Sequence, residues 1–237
     1  MMSLHNLIIT DVTRYGNLFC VAGWDLQNGR MIRPEPPAMD PASEPTRFWG
    51  NGDAGPGRFF DVGNVVRFQA KPAPAGSAFP HATEDVIFVK DGEATVVRKM
   101  TLAEIANSVA SGVAASIDGA FGGTLQRAAS GKAYVPAGAQ TVSLDALEIE
   151  PASISFYEDI NSAGKRKLRA QIIQDGIDYD LSIPADSVLA QFSAGGLAAL
   201  NASAQGSERI HVRLGLSRPF REMPNSCYAQ VNGLYFL

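Results

Sequence analysis

LRAQIIQDGIDYDLSIPADSVLAQF, residues 168–192, is the stretch on which the fold turns. Leu168, Ala170 and Ile172 alternate with Arg169, Gln171 and Ile173, the period of a strand with one face toward a core. Asp175-Gly176 follows, a residue pair that accepts the positive φ of a two-residue hairpin. Ile177 to Ile183 returns as a second strand. Asp186 or Ser187 then caps a helix carrying Val188, Leu189, Phe192, Leu197 and Leu200 near one face. Gly195-Gly196 interrupts that helix, since glycine is a poor helix former. Upstream, Leu144 to Tyr157 reads as one long strand or a bent pair around Pro151. Downstream, Arg209 to Leu216 alternates sharply, placing Val212, Leu214 and Leu216 inward and His211, Arg213 and Gly215 outward. Cys227 to Phe236 is the last strand.

The order from 144 to 236 is three strands, a helix and two strands. That is the order of an OB-type barrel, a partly open five-stranded barrel. The N-terminal half carries a looser copy. Leu7 to Tyr15, Leu18 to Leu26 and Arg30 to Arg33 form a meander, with Asn28-Gly29 as its second turn. Pro34 to Arg58 is a proline-rich insert that forms neither helix nor central strand. Its Phe48-Trp49-Gly50 implies that it packs against something. Val65 to Ala70 is a strand, and a second proline-rich loop runs to His81. Asp85 to Val89 and Ala94 to Met100 are expected to form a hairpin across Lys90-Asp91-Gly92-Glu93. Thr101-Leu102-Ala103-Glu104 is a capping box, with Met100 and Ile105 placed for a hydrophobic staple. Residues 111–140 are rich in Gly, Ala and Ser, the composition of a linker or irregular excursion, and hold the join between halves. Gly122-Gly123-Thr124 reads as a surface loop or an anion-binding backbone nest. The expectation is a mainly β chain with a few helices: two OB-like five-stranded barrels in tandem. The first spans 1–140, with Pro/Gly-rich insertions and a helix at about 101–115; the second spans 141–237.

The formal net charge is −4 and the pI about 5.4. Strong nonspecific nucleic-acid binding needs a basic face, so such a role requires positive charge gathered locally. Cys20 and Cys227 have no partner at metal-ligand spacing, which excludes a zinc ribbon; each sits in an apolar run and reads as a buried thiol. The first ten residues lack the basic start of a secretory signal, and no apolar run approaches membrane-span length. The expectation is a cytoplasmic protein without a membrane segment. Phosphate-loop, dinucleotide and Gly-x-Ser-x-Gly signatures are absent, and neither a cofactor nor a catalytic set is expected.

Three stretches carry a resemblance. The first is Gly23-Trp24-Asp25 with Gly29-Arg30-Met31-Ile32-Arg33-Pro34. The second is Pro80-His81-Ala82-Thr83-Glu84-Asp85-Val86. The third is Arg213-Leu214-Gly215-Leu216-Ser217-Arg218-Pro219-Phe220 with Cys227-Tyr228-Ala229-Gln230-Val231-Asn232-Gly233-Leu234-Tyr235. Together they resemble the dual OB-fold domain family of prokaryotic conflict and defence proteins. The resemblance implies two OB-like barrels and a role in sensing or binding nucleic acid or a nucleotide, in a family often attached to effector modules.

Arg33 ends a strand just before a proline. Its guanidinium suits a phosphate or carboxylate ligand, or a structural ion pair with an acid between Pro80 and Asp85. His81, Glu84 and Asp85 concentrate an imidazole and two carboxylates. They read as a metal or acid–base site, or as loop anchors pairing with Arg33 or Arg218. Arg213, His211 and Arg218, beside Tyr228, Gln230 and Asn232, would make a polar and aromatic strand face that stacks bases, or an ordinary solvated face. Lys165-Arg166-Lys167 with Arg169 is the one dense basic run, in a hairpin loop near where such barrels grip single strands, or a solvated turn. The leading expectation is a non-enzymatic module binding single-stranded nucleic acid or a nucleotide. An adaptor docking an effector protein is the alternative, and a hydrolase using His81, Glu84 and Asp85 ranks third.

Overall fold

The computed structural model describes residues 2–40, 43–73, 78–90, 92–160, 164, 166–220 and 222–237. The chain divides into two compact units, Met1–Gly112 and Val113–Leu237. Each is mainly β, and each closes on itself with the strand order of an OB barrel.

In the first unit the strands are β1 (Ser3–Tyr15), β2 (Leu18–Asp25), β3 (Arg30–Glu35), β4 (Asn64–Pro72), β5 (Asp85–Phe88) and β6 (Ala94–Lys99), followed by α1 (Leu102–Ser108). β1 pairs antiparallel with both β2 and β4. β3 pairs parallel with β5, through Arg33↔Asp85, Pro34↔Val86 and Glu35↔Ile87, which closes the barrel. The expected hairpin across residues 90–93 does not form. β5 and β6 both pair antiparallel with β4, Phe88 opposite Ala70 and Ala94 opposite Phe68. They are successive pieces of one barrel wall, and the expected turn falls between them; Asp91 lies outside the described residues. Turn-like composition marks an interruption of pairing as readily as a reversal.

The inward residues Leu7, Ile9, Val21, Ile32, Val66, Phe68 and Val86 form this core. The proline-rich insert completes it with Trp49, Ala54 and Phe60. The Trp49 indole donates to the Pro34 carbonyl at 2.8 Å, and its ring packs on Phe60 and Phe88 at 4.5 and 5.5 Å. The insert thus occupies, along the chain, the place between third and fourth strands that a helix takes in the second unit. α1 lies after the last strand instead. It has the expected capping box: Thr101 Oγ1 accepts from Glu104 N at 3.3 Å and Glu104 Oε2 from Thr101 N at 2.7 Å.

The second unit opens with β7 (Val113–Ala114), α2 (Ile117–Ala120), β8 (Gln126–Arg127) and β9 (Ala133–Pro136). The expectation placed the join at 140/141, whereas this segment packs into the second unit: Ile117, Phe121, Ala133 and Val135 are buried in its core. Small-residue composition hid four well-spaced apolar anchors. Gly122 and Gly123 end α2, their amides donating to the Gly119 and Asp118 carbonyls at 3.0 Å, so they form no open nest.

The barrel itself comprises β10 (Leu144–Ile149), β11 (Ile154–Ile160), β12 (Arg166–Gln174), β13 (Ile177–Ser182), α3 (Asp186–Gln205), β14 (Ile210–Leu216) and β15 (Ser226–Phe236). A 3-10 turn at Pro151–Ser153 bends the first wall, so β10 pairs with β14 and β11 with β12. Asp175 and Gly176 both adopt positive φ, 51° and 74°, in the β12–β13 hairpin. α3 has Ala185 as N-cap with Asp186 in its first turn, one residue from the expected cap. It breaks where foreseen, at Gly196, with φ 65°. No helix of the described residues is long and apolar enough to cross a membrane.

Candidate functional site

In the first unit the candidate residues fold inward on one another. Arg33 is 4% exposed and donates to Asp85 Oδ1 at 2.7 Å. Arg47, from the insert, donates to Glu35 Oε1 at 2.7 Å and lies 3.9 Å from Asp85 Oδ2. Parity places Arg33 and Glu35 on the face of β3 opposite the core residue Ile32. The insert covers that face, which is why charges on the outside of a barrel are buried. Burial works against the Arg33 charge, but Asp85 and neighbouring acids outweigh it and hold its pKa above the ordinary arginine value. His81 and Glu84 are buried beside them, in and after a 3-10 turn at His81–Thr83. Of the two readings of Arg33, this geometry is the structural ion pair. Among the described residues no three His, Cys, Asp or Glu side chains converge as a metal site, and Asp85 is engaged by Arg33.

β14 departs from its reading in a similar way. Its alternation is present, with Val212, Leu214 and Leu216 in the core. Yet His211 and Arg213, on the opposite face, are also buried, so they present no solvated platform. Gly233 stands directly opposite Arg213. A Cβ there would lie 3.1 Å from Arg213 Cγ, so the missing side chain lets the arginine lie across β15. The His211 ring stacks on Tyr235 at 5.4 Å. Burial, then the charges of Arg213 and Arg209, push its pKa down to about 3, so it is neutral. Asn232 is turned over Gly215, whose absent side chain makes the room.

The open concave surface of this unit lies one strand further round. Lys167, Arg169 and Gln171 of β12, Asp178, Asp180 and Ser182 of β13, and Tyr228 and Gln230 of β15 all project opposite the core residues Ala170, Leu181 and Ala229. Of these, Lys167, Arg169, Asp180, Ser182, Tyr228 and Gln230 line a cleft of about 470 Å3 together with Lys132, Phe220 and Met223. A second cleft of about 430 Å3 continues it past Arg127, Tyr157, Gln171 and Asp178, and the two share Ser130 and Asp180. Phe220 and Met223 come from the loop between β14 and β15 and are exposed. Tyr228 lies between two other rings, Tyr134 at 5.9 Å and Phe220 at 6.5 Å. On the floor, Arg169 Nε donates to Asp180 Oδ1 at 2.6 Å, and the Tyr157 hydroxyl donates to the same oxygen at 2.7 Å. Lys132 stands 3.9 Å from Asp159 and Arg166 3.5 Å from Glu158. The groove is therefore rich in aromatic faces and fixed donors but nearly balanced in charge.

Of the sequence candidates, the groove gathers Tyr228 and Gln230, with Lys167 and Arg169 of the basic run; Lys165 lies outside the described residues. It does not gather Arg33, His81, Glu84, Asp85, Arg213 or Asn232, and Arg218 sits half-buried in the loop beyond β14. Lys132, Tyr134, Tyr157 and Asp180 were not foreseen. The outward parity of Asp178, Asp180 and Ser182 opposite Arg169 across the Asp175-Gly176 hairpin was the available signal for Asp180.

No curated protein matches this sequence. A family model described as the dual OB-containing domain matches residues 5–234, nearly the whole chain, and agrees with the strand order 1-2-3-5-4-1 traced in each unit. The chain belongs to the dual OB-containing domain family.

Proposed function

We propose that this protein is a binding module whose second barrel holds a short stretch of single-stranded nucleic acid, or a single nucleotide, in the groove over β12, β13 and β15. The observation that carries the reading is the aromatic, donor-lined cleft of about 470 Å3 on that face. Clefts of this size hold small ligands, and this barrel face with the loop between the last two strands is where OB folds take oligonucleotides and oligosaccharides. Bases stack on Tyr228 and Phe220, while Lys167 and Lys132 meet phosphate oxygens. Arg169, already engaged by Asp180, orients the floor. Because most cations here face acids, stacking supplies more of the affinity than charge does. About two phosphate contacts give a salt slope near −1.4 for a single strand.

Fluorescence anisotropy with labelled six- to ten-mers, alongside unlabelled mononucleotides as competitors, tests this. Binding that falls with salt at a slope near −1.4 and weakens about tenfold or more in Tyr228→Ala supports the assignment. Absence of binding to every oligonucleotide and nucleotide at low salt removes it.

A further inference from the structure

Ser3, His5 and Asp25 form a hydrogen-bonded relay at one end of the first barrel. Ser3 Oγ lies 2.7 Å from His5 Nε2. His5 Nδ1 lies 2.9 Å from Asp25 Oδ2. The aspartate is fully buried and accepts two more bonds, from Asn28 Nδ2 at 2.5 Å and from Gln27 N at 3.1 Å. Burial alone would raise its pKa, but the bonds from His5, Asn28 and Gln27 prevail and hold it below the ordinary aspartate value. The His5 ring is buried and stacked on Phe68 at 5.7 Å, which fixes its plane. Ser3 alone is exposed.

The relay is put together by strand pairing. Leu7 stands opposite Asp25, so His5, two residues earlier on the same face, reaches the carboxylate diagonally. Leu7 is a core residue, so this face looks into the end of the barrel. Arg30 is directly opposite Asp25 on β3 and shares the face; its exposed guanidinium donates to the Thr83 carbonyl at 3.3 Å.

A histidine serving only as core filling needs its N–H satisfied, and Asp25 does that. The same bond fixes the tautomer in which Nδ1 carries the proton and Nε2 holds a lone pair. That lone pair faces the hydroxyl of an exposed serine, which burial gives no reason to place there. Acid, base and hydroxyl thus run from the interior to the surface in the order that acyl transfer requires.

We propose that Ser3 is a nucleophile toward carboxylic esters that carry an anionic group, with His5 as general base, Asp25 as the residue that positions it, and Arg30 as the anion's partner. Ser3 Oγ bonds to the ester carbonyl carbon while His5 Nε2 takes the hydroxyl proton. The carbon–oxygen bond to the leaving alcohol breaks, and that alcohol departs with the proton from Nε2. Water then attacks acyl-Ser3, giving its proton to Nε2; the carboxylic acid leaves and Oγ recovers the proton. Nothing is oxidised or reduced. These residues are separate from the groove of the second barrel, so either assignment can fail alone.

The full chain is treated with a fluorophosphonate probe at pH 8, and the modified peptide is identified by mass spectrometry. Hydrolysis of 4-nitrophenyl acetate and of mono-4-nitrophenyl succinate is followed in parallel. The expected result is modification at Ser3, a preference for the succinate ester, and loss of hydrolysis by at least 100-fold in Ser3→Ala, an exposed change that leaves the tryptophan-monitored melt unaltered. Arg30→Ala removes the preference for the anionic ester. Asp25→Asn lowers the rate and moves the acidic limb of the pH–rate profile, where the general base is protonated. No modification of Ser3 in the folded protein, or hydrolysis unchanged in Ser3→Ala, overturns the proposal. An unmoved pH limb in a folded Asp25→Asn variant overturns the positioning role, and an unchanged ester preference in Arg30→Ala overturns the role of that arginine.

Discussion

Replacing Asp85 by Ala tests whether Arg33 is a structural cation or a ligand contact. The substitution strips a guanidinium that is 4% exposed of its carboxylate at 2.7 Å, and takes away the second acid facing Arg47 at 3.9 Å. Removing one member of a buried ion pair costs about 3–5 kcal/mol, because the remaining charge stays desolvated. With a urea slope of about 1–2 kcal/mol/M, the unfolding midpoint of this unit falls by about 1.5 M or more. The double variant Arg33→Met with Asp85→Leu carries no such charge and recovers most of that loss. Both tryptophans, Trp24 and Trp49, lie in the first unit, so their emission reports its unfolding specifically. Oligonucleotide binding by the groove is measured on the same samples. A midpoint change worth less than about 1 kcal/mol in Asp85→Ala would refute the burial argument, since that is the size of an exposed pair. A folded double variant that loses oligonucleotide binding more than tenfold would return Arg33 to the ligand.

Gly23→Ala sets a Cβ against the Ile8 carbonyl and the Leu7 side chain across the β1–β2 pair, where backbone cannot yield; the tryptophan-monitored melt is expected to lose about 3 kcal/mol. Burial raises the Asp145 pKa to about 6 from the ordinary 3.8, an effect its bond from Ala146 N and the Arg213 charge only partly offset. A raised carboxylate pKa costs nothing below pH 3.8 and its full penalty above pH 6, so Asp145→Asn is expected to stabilise the protein at pH 8 by about 1–2 kcal/mol after allowance for partial exposure, and not at pH 3.5. Denaturant melts at the two pH values check the sign. Burial pushes the Cys227 thiol up to about 11. It should resist a disulfide reagent at pH 8 until the second unit unfolds, and react then at the rate of an open thiol.

Local signals were legible where chemistry is local. Asp175-Gly176 dictated its turn because the backbone needs two positive φ angles there, and Thr101 to Glu104 dictated a helix start through two reciprocal bonds. The strand alternation of 210–216 identified faces correctly and exposure wrongly, because parity says which side a residue takes and not what covers that side. Arg33 was open to two readings for the same reason: its burial depends on the insert, whose Arg47 engages Glu35 on the same face. The hairpin expected across 90–93 failed because β4 offered both flanking segments a longer partner than they offer each other. The groove is built from segments scattered between 127 and 230, and the serine relay joins His5 to an aspartate 20 positions away on the next strand. Neither has a linear spacing to find.

The two barrels are shut by very different lengths of parallel zipper. In the first, three successive residue pairs bridge β3 and β5; in the second, β13 and β15 meet at the single pair Ser182↔Gln230. A parallel join of one pair is the thinnest part of that wall and the place where it would breathe first. Ser182 and Gln230 are also on the floor of the groove. A guest bridging Lys167 and Tyr228 would act as a clasp across this slit, so occupancy would be felt as tightening of the whole second barrel, amide protons along β13 and β15 becoming the slowest to trade with solvent.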